Sequence, residues 1–111
     1  MNISERHEGD IVVLGPQGRI DNETSPAFQH KLRACLGAPD ARVIVDFSGV
    51  EFISSAGLSA LMAGADLAKE TGGHLAVAGV RALVKEIFEI SRFSLVVPIY
   101  ATSQEALSAL G

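Results

Sequence analysis

The run RVIVDF at residues 42–47, answered by HLAVA at 74–78 after one long stretch of helical periodicity, leaves few folds open to this chain. Both runs are nearly continuous in apolar and β-branched residues. Turn residues bound them: Pro39-Asp40 and Ser48-Gly49 around the first, Gly72-Gly73 and Gly79 around the second. Strands of that composition are covered on both faces rather than half solvated. Strand, helix, strand with short connections implies an α/β layer.

The flanking segments extend the pattern. Ile11 to Leu14 is another apolar run, which Gly15-Pro16 and Gly18 should close. Asn2 to His7, turning at Gly9-Asp10, is its expected hairpin partner and the antiparallel pair of a mixed sheet. Val50 to Ile53 reads as a short apolar connection, and Leu95 to Val97 as a last short strand stopped by Pro98. Thr24 or Ser25 with Pro26 starts a helix in which Phe28, Leu32 and Cys35 recur at helical spacing. A second helix begins near Ala56, lines Leu58, Leu61, Met62, Ala65 and Ala68 on one face, and ends at Gly72-Gly73. Arg81 to Ile90 groups Leu83, Val84, Ile87 and Phe88, and Ser103 to Leu110 offers Ala106, Leu107 and Leu110 for docking.

Composition narrows the function classes. The 111 residues suit one domain, burying roughly two thirds of its unfolded surface, with no room for a second. Thirteen acidic against nine basic residues, without a basic cluster, exclude a nucleic-acid backbone or an anionic membrane as the expected partner. The single cysteine, Cys35, excludes an internal disulfide framework and suits a reducing compartment. The opening MNISERHEGD places charges where a signal peptide needs an apolar run, and no stretch approaches the about 18 apolar residues of a membrane span. The expected location is cytoplasmic, without direct membrane insertion.

Catalytic motifs are missing from the same sequence. His7, His30 and His74 lack HxxxH or HExxH spacing and read as exposed or hydrogen-bonded histidines. Cys35 reads as a small core side chain. Neither GxxxxGK[ST] nor GxGxxG occurs, and the glycines of GDIVVLGPQG are spaced as turns rather than as a phosphate cradle. The expectation is no catalytic residue, no metal and no cofactor. A hydrolase built on Ser55 would need a histidine that no nearby segment supplies.

Ser54 and Ser55 stand out by position. They fall where FISSAGLSALM turns from an apolar segment into a helix, where free N–H groups and the positive helix end favour added negative charge. One serine can cap that helix. The other reading is covalent modification, since a phosphoryl group brings about 1.5 to 2 negative charges and three acceptor oxygens that a helix start holds without unfolding.

GRID at 18–21, DFSGVEFISSAGLSALM at 46–62, Gly72-Gly73 before HLAVAGV, and VKEIFEISRFS at 84–94 together resemble the STAS domain of bacterial anti-sigma factor antagonists. The resemblance covers nearly the whole chain, 1–111, in order. It implies a four- or five-stranded mixed sheet with helices packed mainly on one face. It implies a partner-switching protein that binds an anti-sigma factor serine-protein kinase when unphosphorylated, with a PP2C-type phosphatase restoring that state. Counting back from Gly57-Leu58 implies Ser55 as phosphoacceptor, with Ser54 at the family's aspartate position as helix cap or secondary phosphosite. Asp21, Glu23 and Thr24, together with Phe52, Ile53, Ala56, Gly57 and Leu58, are implied as kinase contacts or neighbours of the phosphosite, and Asp46 as the strand-end polar residue. The alternative is an unmodified accessory STAS subunit of a transport or signalling complex, in which both serines only cap the helix.

Overall fold

The computed structural model describes residues 1–111. Strands β1 (Asn2–Glu8) and β2 (Ile11–Ile20) form the expected antiparallel hairpin, turning through Gly9 in the left-handed region at φ 62°. Helix α1 (Ser25–Leu36) leads to β3 (Arg42–Asp46), and β4 (Val50–Ile53) leads into α2 (Ser55–Thr71). Then come β5 (His74–Ala78), α3 (Ala82–Ile90), a 3-10 turn (Phe93–Leu95), β6 (Ile99–Tyr100) and α4 (Ser103–Leu110). The sheet runs β1-β2-β3-β5-β6, with β4 pairing β2 off that path. All pairs except β1–β2 are parallel. The mixed α/β expectation holds; the sheet has six strands rather than four or five, and two segments differ from their sequence reading.

The first difference is the length of β2. Gly15-Pro16 and Gly18 do not end it. Pro16 falls in the gap between the two parallel neighbours, after the last β3 pair at Leu14↔Val45 and before β4 begins at Gly18↔Val50. A missing N–H is tolerated there. Gly18, at φ 93°, marks the register shift where β2 changes neighbours. The overhang of β2 beyond β3 recruits Val50–Ile53, so the expected connection becomes a strand. The second difference is at the C-terminal end. Leu95 to Val97 is not a strand: Arg92 enters the left-handed region at φ 55° and a 3-10 turn follows. The strand lies just past Pro98, whose carbonyl accepts from the Val77 N–H at 3.0 Å.

Helices α1, α2 and α3 cover one face and α4 the other. The larger core joins 20 buried residues beneath the three helices, among them Leu14, Phe28, Leu32, Val45, Leu61 and Phe88, so this side carries most of the hydrophobic stabilisation. The other holds six, with Ala106 of α4 against Ile11, Val13, Ile44, Ala76 and Ala78. Arg42 reaches across to donate a 2.7 Å hydrogen bond from Nη1 to the Leu110 carbonyl, where a cation suits a helix C-terminus.

The buried stripe of α2 is shifted from the expected one. Met62 is exposed, whereas Gly57, Ala60, Leu61, Gly64, Ala65 and Ala68 are buried. Small residues win because α1 and α2 lie close: a Cβ on Gly64 would stand 3.4 to 3.5 Å from Leu36, Leu32 and Leu75. Gly72 ends the helix in the left-handed conformation, as expected, with the Gly73 N–H returning to the Ala68 carbonyl at 2.7 Å. On α3, Val84 and Phe88 are buried and Ile87 half-buried, but Leu83 faces solvent.

Candidate functional site

Strands β2 and β4 end side by side, with Ile20 opposite Ile53. The residues that follow each strand therefore meet at one end of the sheet. After β2 the chain forms a tight loop around Asp21. Its Oδ1 accepts from the N–H groups of Glu23 at 3.0 Å and Thr24 at 3.1 Å. Thr24 Oγ1 accepts from the Asp21 N–H at 2.8 Å and lies 2.8 Å from the Arg19 carbonyl, to which it can donate. Helix α1 starts where the sequence places it, with Thr24 as N-cap and Pro26 in the first turn, and the Asp21 carboxylate orders the turn before it. The N–H donated by Thr24, followed by that of Glu23, holds the Asp21 carboxyl below the usual range despite some desolvation.

After β4 the two serines divide. Ser54 is the N-cap of α2, in extended conformation, and its Oγ accepts from the Gly57 N–H at 3.3 Å. Its own N–H donates to the Ile20 carbonyl at 2.8 Å, pinning the helix start to the end of β2. Ser55 is the first helical residue and is exposed. Gly57 is buried where the helix passes over β2 and β4: a Cβ there would stand 2.6 Å from Ile53 Cγ1 and 2.8 Å from Ile20 Cγ2. Proximity favours glycine here, since any Cβ would have to displace Ile53 or Ile20.

The other residues implied as contacts separate by exposure. Asp21, Asn22, Glu23 and Ser54 line a shallow depression of about 280 Å³. Phe52 is half-buried, with the Arg19 guanidinium 4.6 Å from its ring centroid, a cation–π pair at the margin of the site. Ala56 and Leu58 are half-buried. Ile53 and Gly57 are buried and shape the site from beneath rather than offering surface. Asp46 lies outside the depression, its Oδ1 accepting from the Ser48 N–H at 2.9 Å in the β3–β4 turn. Asn22 lies in the loop 21–24 that the sequence places at the site, whereas Arg19 was missed by sequence reasoning; the alternation of β2 beyond Gly18 would have revealed it, but the glycines masked the strand.

The arrangement presents an exposed hydroxyl at a helix N-terminus beside an acidic rim. His7 and His74 lie at the opposite end of the sheet, paired at or near the starts of β2 and β3, and His30 is on α1. No group of three or more His, Cys, Asp or Glu residues is placed to hold a metal ion. Cys35 is half-buried, and burial raises its thiol pKa. No helix is long and apolar enough to cross a membrane.

The STAS domain family matches residues 2–106, from the first strand into α4. The chain belongs to the STAS domain family. It is homologous to members of the anti-sigma factor antagonist family. It is 31% identical over 99 residues to the proposed anti-sigma factor antagonist BtrV of Bordetella bronchiseptica, covering 89% of this chain and 84% of that protein. A STAS domain anti-sigma-factor antagonist from Planctomyces limnophilus superposes with a TM-score of 0.87 at 28% identity, over 98% of this chain and 97% of the other. The phosphorylated form of the Bacillus cell fate determinant SpoIIAA shares the fold, with a TM-score of 0.73 at 16% identity over 99% and 100% of the two chains.

Proposed function

We propose that this STAS domain is a phosphorylation-regulated partner-switching protein. Unphosphorylated, it binds and sequesters an anti-sigma factor serine-protein kinase; phosphorylation of Ser55 releases that kinase, and a PP2C-type phosphatase reverses the change. The observation that carries this reading is the division between the serines. Ser54 is engaged as the cap of α2, whereas Ser55 is exposed at the first helical position. A phosphoryl group on Ser55 meets the positive end of α2, so the domain tolerates it.

Partner binding responds differently. The contact surface presents Phe52 and small side chains next to Asp21 and Glu23. Burying a phosphate there without a matched cation, beside carboxylates, is costly. A penalty of about 3 kcal/mol weakens a complex about a hundredfold. The acidic rim is matched by lysine or arginine on the kinase.

Incubation with the cognate kinase and ATP, followed by peptide mass spectrometry, is expected to place one phosphoryl group on Ser55. Ser55→Ala is expected to stay bound to the kinase in the presence of ATP. Titration calorimetry should rank affinity as wild type, then Ser55→Asp, then phosphoprotein. Modification of Ser54 instead, or equal dissociation constants for all three forms, overturns the reading.

A further inference from the structure

A second concavity lies away from the serines, outside the carboxyl ends of the parallel strands β5 and β6, where open α/β sheets commonly receive ligands. It measures about 450 Å³, within the range of small-molecule sites. Val80 and Ile99, both half-buried, supply apolar lining, and the buried Phe88 backs them. Phe88 is held in place from behind by Phe47 and Phe93, at ring-centroid distances of 5.6 and 4.8 Å. Tyr100 and Ser94 add hydroxyl groups.

Two charges complete the wall. Lys85 and Glu89 stand one helical turn apart on α3 and both line the cleft. Neither forms an ion pair: the four salt bridges of the chain join Arg6 to Glu8, His7 to Glu5, Lys31 to Glu5 and Arg42 to Asp10. A ligand that is only anionic meets Glu89 with the wrong sign, and one that is only cationic meets Lys85. A neutral apolar molecule leaves both charges unused while covering part of their hydration. The ligand that satisfies the whole cleft carries both charges close together on a small apolar body.

We propose that the cleft between α3, the 3-10 turn and β6 binds a free apolar α-amino acid, its carboxylate on Lys85, its ammonium on Glu89 and its side chain against Val80 and Ile99. Spacing supports this assignment, because side chains four apart on a helix are neighbours and an α-amino acid carries its ammonium and carboxylate on one carbon. The site stands independently of phosphorylation at Ser55, since it shares no lining residue with the acidic depression.

The test is an amide-shift titration of the full chain with L-leucine to about 50 mM, a range that detects millimolar dissociation constants. Saturable shifts centred on Val80, Lys85, Ser94 and Tyr100 are expected. Lys85→Gln and Glu89→Gln are both exposed replacements and are each expected to weaken binding about tenfold, while Glu70→Gln on the outer face of α2 leaves it unchanged. N-acetyl-leucine and leucine methyl ester, each retaining one charge, should bind more weakly than leucine. No saturable binding overturns the proposal, as does binding that neither cleft variant alters. Equal or tighter binding of uncharged N-acetyl-leucine amide also overturns it and makes the cleft a dock for an extended protein segment.

Discussion

Helices α2 and α3 each follow a parallel strand and begin at the same end of the sheet, yet they are held there by opposite means. The start of α2 is fixed by polar geometry and close approach: the Ser54 cap, the Ser54 N–H on the Ile20 carbonyl, and Gly57 pressed against Ile20 and Ile53. At the start of α3, Arg81 makes no side-chain cap bond. That helix is located by Val84 and Phe88, buried over Phe47 and Phe93. Hydrogen bonds fix a chain to tenths of an ångström in a chosen direction, whereas apolar packing fixes depth and permits rotation. The role proposed for Ser55, a hydroxyl presented to a partner, gains from the first arrangement.

The largest effect should come from breaking the apolar side of this contrast. Phe88→Ala removes a fully buried ring between two others and is expected to cost about 3–5 kcal/mol. Denaturant unfolding measures the loss, and amide shifts should change over α3 and the 3-10 turn more than around Ser55. An equal disturbance at both helix starts would show that they are not held separately.

Gly57→Ala probes the other side. Overpacking against Ile20 and Ile53 is expected to cost about 1–3 kcal/mol, offset in part by the helix preference of alanine, about 1 kcal/mol. A net loss should appear in equilibrium unfolding, and unchanged or increased stability would mean that the helix start shifts freely. Ser54→Ala and Ser55→Ala then separate the cap from its exposed neighbour. The first should cost about 1 kcal/mol and the second less than about 0.5 kcal/mol. A reversed order in the same unfolding experiment would move the cap to Ser55.

The smallest effect is one of pH. Asp21 has a folded pKa lowered chiefly by the Thr24 N–H, so its contribution is present above the unfolded value, about 3.9, and fades as pH falls through the folded value. Glu5, lowered by Lys31 and His7, acts in the same direction. Stability of the wild type should therefore fall more between about pH 5 and pH 2 than that of Asp21→Asn, whose amide oxygen still accepts the loop hydrogen bonds. Parallel stability profiles for the two proteins would remove Asp21 as a contributor.

Much of this site was legible before any coordinate. FISSAGL already marked a helix start with two hydroxyls, and GRID marked the loop that meets it. Which serine caps was not legible, because either residue of a Ser-Ser pair satisfies the local pattern. Nor was the burial of Ile53, whose neighbour Phe52 faces partly outward. The strand over Val50–Ile53 was hidden because four residues after a turn signal carry too little periodicity, and their pairing depends on an overhang of β2 that Pro16 seemed to forbid.

By itself the sequence determined the alternation of elements, the N-terminal hairpin, the Gly72-Gly73 helix end and the position of the two serines, since each rests on interactions among residues near one another along the chain. Only the tertiary structure decided the length of β2, the pairing of β4 with it, the small-residue stripe that lets α2 approach α1, and the separation of a capping Ser54 from an exposed Ser55. These depend on partners distant in sequence. The Ile20 carbonyl that holds Ser54, and the Ile20 side chain that crowds any Cβ at Gly57, come from a strand more than thirty residues earlier, so no local pattern encodes them.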